Sequence, residues 1–321
     1  MRSRVSDNQL RGVITPLLTP FFGDGTVDYG SLDKLAHHVI EGGVSGLFIL
    51  GTTGEGPCIK MEGRYEIVKR VVDFTAGQVP VFISLTDTVF DNSVRLAKYA
   101  EELGADALVI TPPPYFSSSQ AELLSYFETL SSITELPCYL YNIPSLTKVS
   151  IEPETVLQAS KLPRIVGIKD SSGDMTYFNK VRELMKGVDG FSFFMGPEEL
   201  MAEAVLLGAQ GGVNGGSNLF PHLYVSLYNA AAEGDQQRVK ELRSIVINIS
   251  AQLYSLSGFE NHCVRVVKYL LSLFGICGET MARPYQELDS DKKQIARERL
   301  EAIILELNEA GISAPTLSLT H

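Results

Sequence analysis

The stretch at residues 164–173 reads R-I-V-G-I-K-D-S-S-G and joins a strand-like run to a lysine at its end. Residues 165–168 are apolar and mostly β-branched, which predicts a fully buried parallel strand. Lys169 ends this run, and an ammonium in that position is costly unless it is paired or loses its proton. A lysine that is held neutral is a nucleophile toward carbonyls and can form a Schiff base. A structural ion pair with Asp170 or another acid is the alternative on this stretch alone.

Length and composition limit the class of protein. The 321 residues fit one large α/β barrel with a small appendix, and a hydrophobic fraction of 45% allows a sizeable core. A net charge of −11 without any basic run argues against a nucleic-acid partner. No signal-like apolar stretch follows the N-terminal arginines and no window approaches about 18 apolar residues, so we expect a cytoplasmic protein without a membrane partner. The four cysteines lack metal-ligand spacing, and we expect reduced thiols and no metal.

Apolar runs of strand length alternate with stretches of helical periodicity along the chain. The predicted strands are residues 13–18, 46–50, 79–85, 107–110, 137–141, 164–169, 191–195 and 210–213. The clearest predicted helices between them are residues 31–40, 62–75, 93–103 and 120–133. Eight strands that alternate with helices predict an α/β fold, a TIM (β/α)8 barrel. An open doubly wound sheet is the alternative, but no G-x-G-x-x-G opens a first βα turn.

A helix-to-strand junction recurs along the chain. It reads E-G-G-V-S-G-L-F-I-L, L-G-A-D-A-L-V-I and L-G-A-Q-G-G-V, and in each case a glycine ends a helix shortly before a strand. This recurrence favours one regular architecture. After the eighth strand about three helices follow, of which residues 261–274 and 289–308 are amphipathic. We therefore predict a barrel over residues 1–232 and C-terminal helices over residues 233–321 packed on it.

In such a barrel the functional site lies at the C-terminal ends of the strands. Thr52 and Thr53 follow strand two in G-T-T-G-E-G-P, where backbone N–H groups and hydroxyls can converge on a carboxylate or phosphate. A tight turn is the alternative there. Tyr141 ends strand five, and adjacent strands lie about 4.8 Å apart. The phenol can therefore reach a substrate on Lys169 and shuttle protons, unless it is a buried structural tyrosine.

Three further strand exits carry candidate residues. Tyr115 lies on the proline-rich loop T-P-P-P-Y-F after strand four, where an aromatic side chain serves either an interface or catalysis. The run M-G-P-E-E after strand seven holds Gly196, Glu198 and Glu199, which either line the site or favour the first turn of a helix through its dipole. Strand eight leaves through G-G-V-N-G-G-S-N, so a ligand can approach the backbone near Val213.

The motifs G-T-T-G-E, Y-N-I-P and G-I-K-D-S-S-G-D, in this order and spacing, resemble those of the dihydrodipicolinate synthase / N-acetylneuraminate lyase family of pyruvate-dependent class I aldolases. The resemblance runs from about residue 12 to the C-terminal helices. It implies that Lys169 forms the Schiff base with pyruvate or another 2-oxo acid. It also implies that Thr52 and Thr53 hold the pyruvate carboxylate, and that Tyr141 moves protons to and from the imine and the aldol oxygen.

The same resemblance extends to the remaining candidates and to assembly. It implies that Tyr115 reaches into a neighbouring subunit's site and supports a proton relay with Thr53. Val213 presents its backbone carbonyl near the nucleophile, and Ser171 and Gly196 complete the predicted substrate-binding set. The family is typically a homotetramer, a dimer of dimers, and needs no metal and no cofactor beyond the covalent imine.

One position departs from the synthase pattern. Dihydrodipicolinate synthases resemble Y-N-V-P-x-R-T-G, with an arginine for the carboxylate of aspartate semialdehyde, whereas this chain has Leu146 there and Lys148 two residues on. Sugar-acid aldolases of the family carry acids after strand seven that bind substrate hydroxyls, where Glu198 and Glu199 stand.

These differences lead to the expected function, with two alternatives. We expect a carbon–carbon lyase that reversibly cleaves a 2-keto-3-deoxy sugar acid to pyruvate and an aldehyde. A 4-hydroxy-tetrahydrodipicolinate synthase is the first alternative. A non-catalytic ligand-binding barrel is the second, and the retention of Lys169 and Tyr141 weighs against it.

Overall fold

The computed structural model describes residues 10–257 and 263–318, and its centre is a closed barrel of parallel strands. The strands are β1 (Gly12–Pro16), β2 (Gly46–Ile49), β3 (Val81–Ser84), β4 (Ala107–Ile110), β5 (Cys138–Asn142), β6 (Ile165–Asp170), β7 (Ser192–Met195) and β8 (Gly211–Gly212). Each strand pairs with the next in the chain, and β8 pairs with β1. The predicted strands agree with these bounds to within two residues at either end. The predicted (β/α)8 barrel is confirmed, and the open sheet is excluded.

Helices surround the barrel and extend beyond it. They are α1 (Tyr29–Glu41), α2 (Met61–Thr75), α3 (Phe90–Leu103), α4 (Gln120–Ser132), α5 (Pro144–Thr147), α6 (Pro153–Ala159), α7 (Met175–Leu184), α8 (Met201–Leu206), α9 (Pro221–Glu233), α10 (Gln236–Gln252), α11 (Cys263–Leu273) and α12 (Ser290–Glu309). The repeated glycine junction ends helices as predicted. At α3, Gly104 adopts a φ of 82° and its N–H donates to the carbonyls of Ala100 and Glu101. No helix within residues 10–257 or 263–318 is long and apolar enough to cross a membrane.

Aromatic side chains fill the middle of the barrel. The ring of Tyr139 lies 5.4 Å from that of Phe82 and 6.0 Å from that of Phe194 between centroids, in edge-to-face geometry. Gly167 on β6 leaves the room for Tyr139, because an added Cβ would lie 2.5 Å from that ring. These rings and the buried Lys169 border one small apolar space of about 20 Å³. The Lys169 side chain therefore has an apolar surface beneath it, on the side that faces the middle of the barrel.

The C-terminal helices pack on the barrel's outer helices. The helix α10 lies against α9, and α12 lies against α10 and α11. Their apolar faces share one buried cluster with the helices around the barrel. The predicted helix at residues 261–274 corresponds to α11, and residues 261–262 lie outside the described residues. The predicted division after residue 232 falls in the last turn of α9.

Candidate active site

A cavity of about 320 Å³ opens at the C-terminal end of the barrel, a volume typical of small-molecule sites. Nine of the predicted site residues line it: Thr52, Thr53, Tyr141, Lys169, Ser171, Gly196, Glu198, Glu199 and Val213. They come from the ends of five different strands, which the closed barrel brings to one mouth.

Lys169 and Tyr141 face each other at the bottom of this cavity. The parallel register of β5 and β6 pairs these two residues directly, so their side chains leave the sheet on the same side. The lysine Nζ lies 4.0 Å from the Tyr141 ring centroid and 5.0 Å from that of Phe48. Only 7% of Lys169 is exposed. Aromatic faces stabilise an ammonium without removing its proton, and they leave the amine free of a carboxylate partner.

Among the described residues, Lys169 has no partner for the structural ion pair considered as the alternative. Asp170 points away from the cavity, where it accepts from the side-chain amide of Asn142 at 2.9 Å and from the hydroxyl of Ser172 at 3.0 Å. Burial raises the pKa of Asp170, and these hydrogen bonds oppose the rise. Within residues 10–257 and 263–318, no carboxylate lies within ion-pairing distance of the Lys169 amine.

Tyr141 lies in a site that favours its ionised form. Burial by itself would raise the pKa of its phenol. The charge of Lys169 and hydrogen bonds with Thr52, Lys169 and Ser171 outweigh burial, so the pKa is lowered from its ordinary value. A phenol that loses its proton more readily, beside a lysine, suits the exchange of protons with a bound substrate.

The two threonines lie on a tight turn after β2. The backbone N–H of Glu55 donates to the carbonyl of Thr52 at 3.0 Å, and the hydroxyl of Thr19 donates to the carbonyl of Gly54 at 2.7 Å. Thr52 and Thr53 both reach the cavity, with Thr52 hydrogen-bonded to the phenol of Tyr141. The turn and the site are therefore one structure, and the two interpretations of this motif do not compete.

The two glutamates after β7 differ in their surroundings. Glu198 is buried. One of its carboxylate oxygens accepts from the hydroxyl of Tyr224 and from the hydroxyl of Tyr254, the latter at 2.8 Å. The other oxygen accepts from the backbone N–H of Gly216 at 2.8 Å. Burial and the neighbouring charge of Glu199 raise the pKa of Glu198 to about 7 against these hydrogen bonds. Glu199 is half-buried, and one of its oxygens accepts from a serine hydroxyl of α10. Glu198 is thus saturated by protein donors, whereas Glu199 lines the cavity with one oxygen bonded to that serine.

Three residues considered from the sequence lie outside this cavity. Tyr115 is 77% exposed, and its ring packs edge-to-face on Phe116 with centroids 4.9 Å apart. Leu146 lies on the single-turn helix α5 with 37% of its surface exposed, and Lys148 caps that helix. Neither Leu146 nor Lys148 lines the cavity. The charged groups that a second substrate meets there are therefore those of the lining residues.

The sequence did not point to the far wall of the cavity. Tyr254 and Ser257 come from a short turn after α10, and Cys263 and Val264 begin α11. No motif marks them, because their place in the cavity depends on how the C-terminal helices pack. Burial raises the pKa of the Cys263 thiol to about 12, so it is protonated at neutral pH. Of the described residues that line the cavity, Lys169 is the one lysine, and there is no arginine.

Two relatives are similar to most of the chain. One is a 4-hydroxy-tetrahydrodipicolinate synthase of Salinibacter ruber, 37% identical over 71% of this chain and 76% of the relative. The other is the probable 2-dehydro-3-deoxy-D-pentonate aldolase YjhH of Escherichia coli, 33% identical over 85% of this chain and 90% of the relative.

Two solved structures superpose on the chain with a TM-score of 0.87 each. The dihydrodipicolinate synthase of Bacteroides thetaiotaomicron is 42% identical and aligns over 91% of this chain and 98% of its own. The other structure is YagE of E. coli, a member of the dihydrodipicolinic acid synthase family in complex with pyruvate. It is 30% identical and aligns over 92% of this chain and 99% of its own.

A family model covers nearly the whole chain. The model of the dihydrodipicolinate synthetase family matches residues 9–303, which include the barrel and most of the C-terminal helices. Members of this family are pyruvate-dependent class I aldolases that form a Schiff base on a lysine and use no external cofactor. The resemblance seen in the three motifs is confirmed, and the chain belongs to the dihydrodipicolinate synthetase family.

Proposed function

We propose that the protein reversibly cleaves a 2-keto-3-deoxy sugar acid to pyruvate and a neutral hydroxyaldehyde. The observation that carries this proposal is the charge of the cavity: its described lining has one lysine, Lys169, no arginine, and two acids, Glu198 and Glu199. Once the lysine is bound to the 2-oxo acid, this lining offers no cation to a second carboxylate. An aldehyde with hydroxyl groups instead offers donors to Glu199, and charge-assisted hydrogen bonds are the stronger kind.

At the inner end of the cavity, Lys169 is the nucleophile. Its neutral amine attacks the C2 carbonyl of the substrate, and the resulting carbinolamine takes up a proton and loses water to give the protonated imine. Thr52 and Thr53 bind the C1 carboxylate, and Ser171 and the backbone of Val213 border the imine. No carboxylate of residues 10–257 and 263–318 pairs with this lysine, and a proton acceptor, Tyr141, lies beside it.

Tyr141 then carries the proton of the carbon–carbon step. In the cleavage direction its phenolate takes the proton of the C4 hydroxyl, the C3–C4 bond breaks, and the electron pair enters the protonated imine to give a neutral enamine. The aldehyde leaves, C3 of the enamine is protonated, and water releases pyruvate from Lys169. The pKa of Tyr141 is lowered by the charge of Lys169 and by its hydrogen bonds, which eases loss of the phenol proton and supports this assignment.

At the outer end, Glu199 binds hydroxyls of the sugar-acid chain. Its place in the cavity lining supports this role, while the saturated Glu198 shapes the wall. Gly196 lets the substrate pass close to the backbone between the two ends. The described lining has no basic residue at this end. The name of the relative YjhH, a probable 2-dehydro-3-deoxy-D-pentonate aldolase, supports the same substrate class.

Synthase activity on aspartate semialdehyde is the second candidate function. It is favoured by the names of the relatives from S. ruber and B. thetaiotaomicron. A semialdehyde carboxylate would enter beside Glu198 and Glu199, and an unpaired carboxylate in a partly desolvated site is disfavoured. A non-catalytic binding barrel would not need the Lys169–Tyr141 arrangement.

We propose a cytoplasmic homotetramer, a dimer of dimers, in which Tyr115 enters the site of a neighbouring subunit and joins Thr53 in the proton relay. The exposed edge-to-face pair of Tyr115 and Phe116 supports this, because such aromatic surface is typical of protein interfaces.

The first experiment tests the nucleophile. Borohydride reduction with pyruvate should add one pyruvate-derived group to the parent on Lys169, as read by mass spectrometry of the intact protein and its peptides. Lys169→Ala should lose this adduct completely and stay folded by circular dichroism. The control is Lys148→Ala, an exposed lysine near the same mouth, which should be trapped like the parent. An adduct on a different lysine in Lys169→Ala contradicts the assignment.

The second experiment tests the substrate class. With pyruvate fixed, kcat/KM for glyceraldehyde or glycolaldehyde should exceed that for aspartate semialdehyde by at least about tenfold, a difference of only ~1.4 kcal/mol in transition-state binding. A preference for aspartate semialdehyde would establish the synthase instead.

A further inference from the structure

A buried ion pair outside the cavity joins α11 to the turn that carries the two threonines. Lys268 of α11 is fully buried, and its Nζ donates to one carboxylate oxygen of Glu55 and, at 2.9 Å, to the backbone carbonyl of Thr280. The other oxygen of Glu55 accepts from the N–H of Ala282 at 2.8 Å. The Lys268 ammonium also lies 4.4 Å from the ring centroid of Phe21. The C-terminal part of the chain thus holds both oxygens of Glu55.

Glu55 is also the residue that closes the turn. It stands two residues after Thr53, adopts a left-handed φ of 53°, and donates its N–H to the carbonyl of Thr52 at 3.0 Å. Leu50, at the start of the same turn, has a φ of 60°. Residues other than glycine stay in this region only when the surrounding contacts hold them there. The side-chain bonds of Glu55 to Lys268 of α11 and to Ala282 after this helix are such contacts.

Stability alone does not explain a charged pair at this place. Well-packed apolar residues of similar volume often replace a buried ion pair without loss of stability. Burial lowers the pKa of Lys268, and the charge of Glu55 opposes this, so each charge depends on the other. Such a pair fixes the direction and distance of the turn, and hydrogen bonds from the turn to a bound carboxylate depend on both. The same helix also borders the cavity through Val264, one turn before Lys268.

We propose that Glu55 and Lys268 are positioning residues that set the Thr52–Thr53 turn for pyruvate, so that pyruvate affinity depends on the C-terminal helices. This inference rests on the proposed function, in which the threonine pair binds the pyruvate carboxylate. Neither residue touches the substrate, and both act through the backbone of the turn.

The test removes both charges together, because a single substitution would leave one charge buried and unpaired. In the variant Lys268→Met with Glu55→Gln, the glutamine amide oxygen can still accept from Ala282. We expect the pyruvate concentration for half-maximal borohydride trapping to rise at least about tenfold, with kcat at saturating substrates within about threefold of the parent. A general loss of structure would instead lower kcat and the trapped amount at saturation.

The matched control removes another ion pair between barrel and tail, that of Arg243 on α10 with Glu203 on α8, which does not border the cavity. Arg243→Met with Glu203→Gln should leave half-saturation by pyruvate unchanged. If the Lys268 and Glu55 variant is trapped at the parent's pyruvate concentration, the positioning role is overturned while the aldolase proposal stands. If the parent itself traps no pyruvate, both are overturned.

A second measurement uses the parent protein only, so it does not depend on the folding of a variant. Coupling between two sites is reciprocal, so pyruvate fixed on Lys169 should in turn hold Glu55 and its partners more firmly. We expect the reduced pyruvate adduct to slow hydrogen exchange in peptides that contain Ala282, which does not line the cavity. Equal exchange in the free protein and the adduct would overturn the inference.

Discussion

The two ends of the active-site cavity are built in different ways. The inner end, with Lys169, Tyr141 and Ser171, consists of residues at or just after the ends of the adjacent strands β5 and β6. At the outer end, Glu198 is held by Tyr224 of α9 and by Tyr254, which follows α10. One end is therefore fixed by the register of a sheet, and the other by the packing of helices distant in sequence.

This difference has a chemical counterpart. Members of the family are pyruvate-dependent class I aldolases, so we expect the inner end to keep its lysine and phenol in a constant arrangement. A barrel strand does this rigidly, because each end is hydrogen-bonded to its neighbours on both sides. The second substrate differs between relatives named as a synthase and as a sugar-acid aldolase. Loops and tail helices can vary at that end without disturbing the imine.

The largest effect that tests this comparison is expected at the inner end. Tyr141→Phe removes only the hydroxyl, so the ring that faces Lys169 stays. We expect kcat to fall by roughly 10²–10⁴-fold, the usual scale of a general acid–base group. Pyruvate should still be trapped by borohydride but at a lower rate, and the variant should stay folded. The matched control is Tyr139→Phe, two residues before Tyr141 on β5 and deeper in the barrel, which should keep kcat within about threefold. A similar small effect for Tyr141→Phe would contradict its role as proton shuttle.

Much of the fold could be predicted from the sequence, because the strands and helices of a barrel have local signals. β6 is a short β-branched run that ends at Lys169, and a glycine such as Gly104 marks the end of a helix with its left-handed φ. Strand count then determines closure, since eight parallel strands with helical connections form a barrel. The exact bounds of a strand depend on hydrogen bonds with its neighbours. The sequence therefore could not show that β8 is limited to its two glycines, within the predicted residues 210–213.

The inner end of the site could be predicted for the same reason, and the outer end could not. Lys169 and Tyr141 lie at strand ends, and strand ends share one face of the barrel. Tyr254 reaches the cavity only because α10 folds back along α9, and nothing in its local sequence indicates this. The ion pair of Glu55 with Lys268 joins residues 213 positions apart, which no local pattern reveals. The sequence also did not separate Glu198 from Glu199, since adjacent residues of one type look equivalent until their partners are known.

An intermediate effect is expected from Glu198, in stability and not in catalysis. Its pKa is raised to about 7 in the folded protein, against an ordinary value of 4.5. Between these values the folded state binds more protons than the unfolded chain, so the free energy of unfolding falls as pH rises through this window. The contribution is fully present below about pH 4.5 and is lost as the pH passes through 7. Its size is of order 1–3 kcal/mol.

The variant Glu198→Gln should remove this pH dependence. Its amide oxygen can accept from Gly216 and its NH2 can donate to the tyrosine hydroxyls, so the partners remain satisfied. Urea unfolding of parent and variant at pH 5 and pH 8, at one protein concentration, gives the difference that belongs to this group. Glu241→Gln, an exposed acid of α10, should unfold with the same pH dependence as the parent. The assignment fails if Glu198→Gln also retains the parent's pH dependence.

The smallest expected effect would show that the outer end discriminates by hydrogen bonds to one carboxylate. Glu199→Gln keeps the size of the side chain and an oxygen for its serine partner on α10, and it removes only the charge. A hydrogen bond to an ionised acceptor is roughly twice as strong as one to a neutral acceptor. We therefore expect kcat/KM for glyceraldehyde to fall about three- to tenfold, or ~0.7–1.4 kcal/mol, mainly through KM. Pyruvate trapping should not change, because the inner end is built by other strands.

For aspartate semialdehyde, removal of a repelling charge by Glu199→Gln should raise kcat/KM, so the values for the two acceptors should move in opposite directions. The exposed Glu241→Gln serves again as control, and parallel changes for both acceptors would show that Glu199 does not face the second substrate.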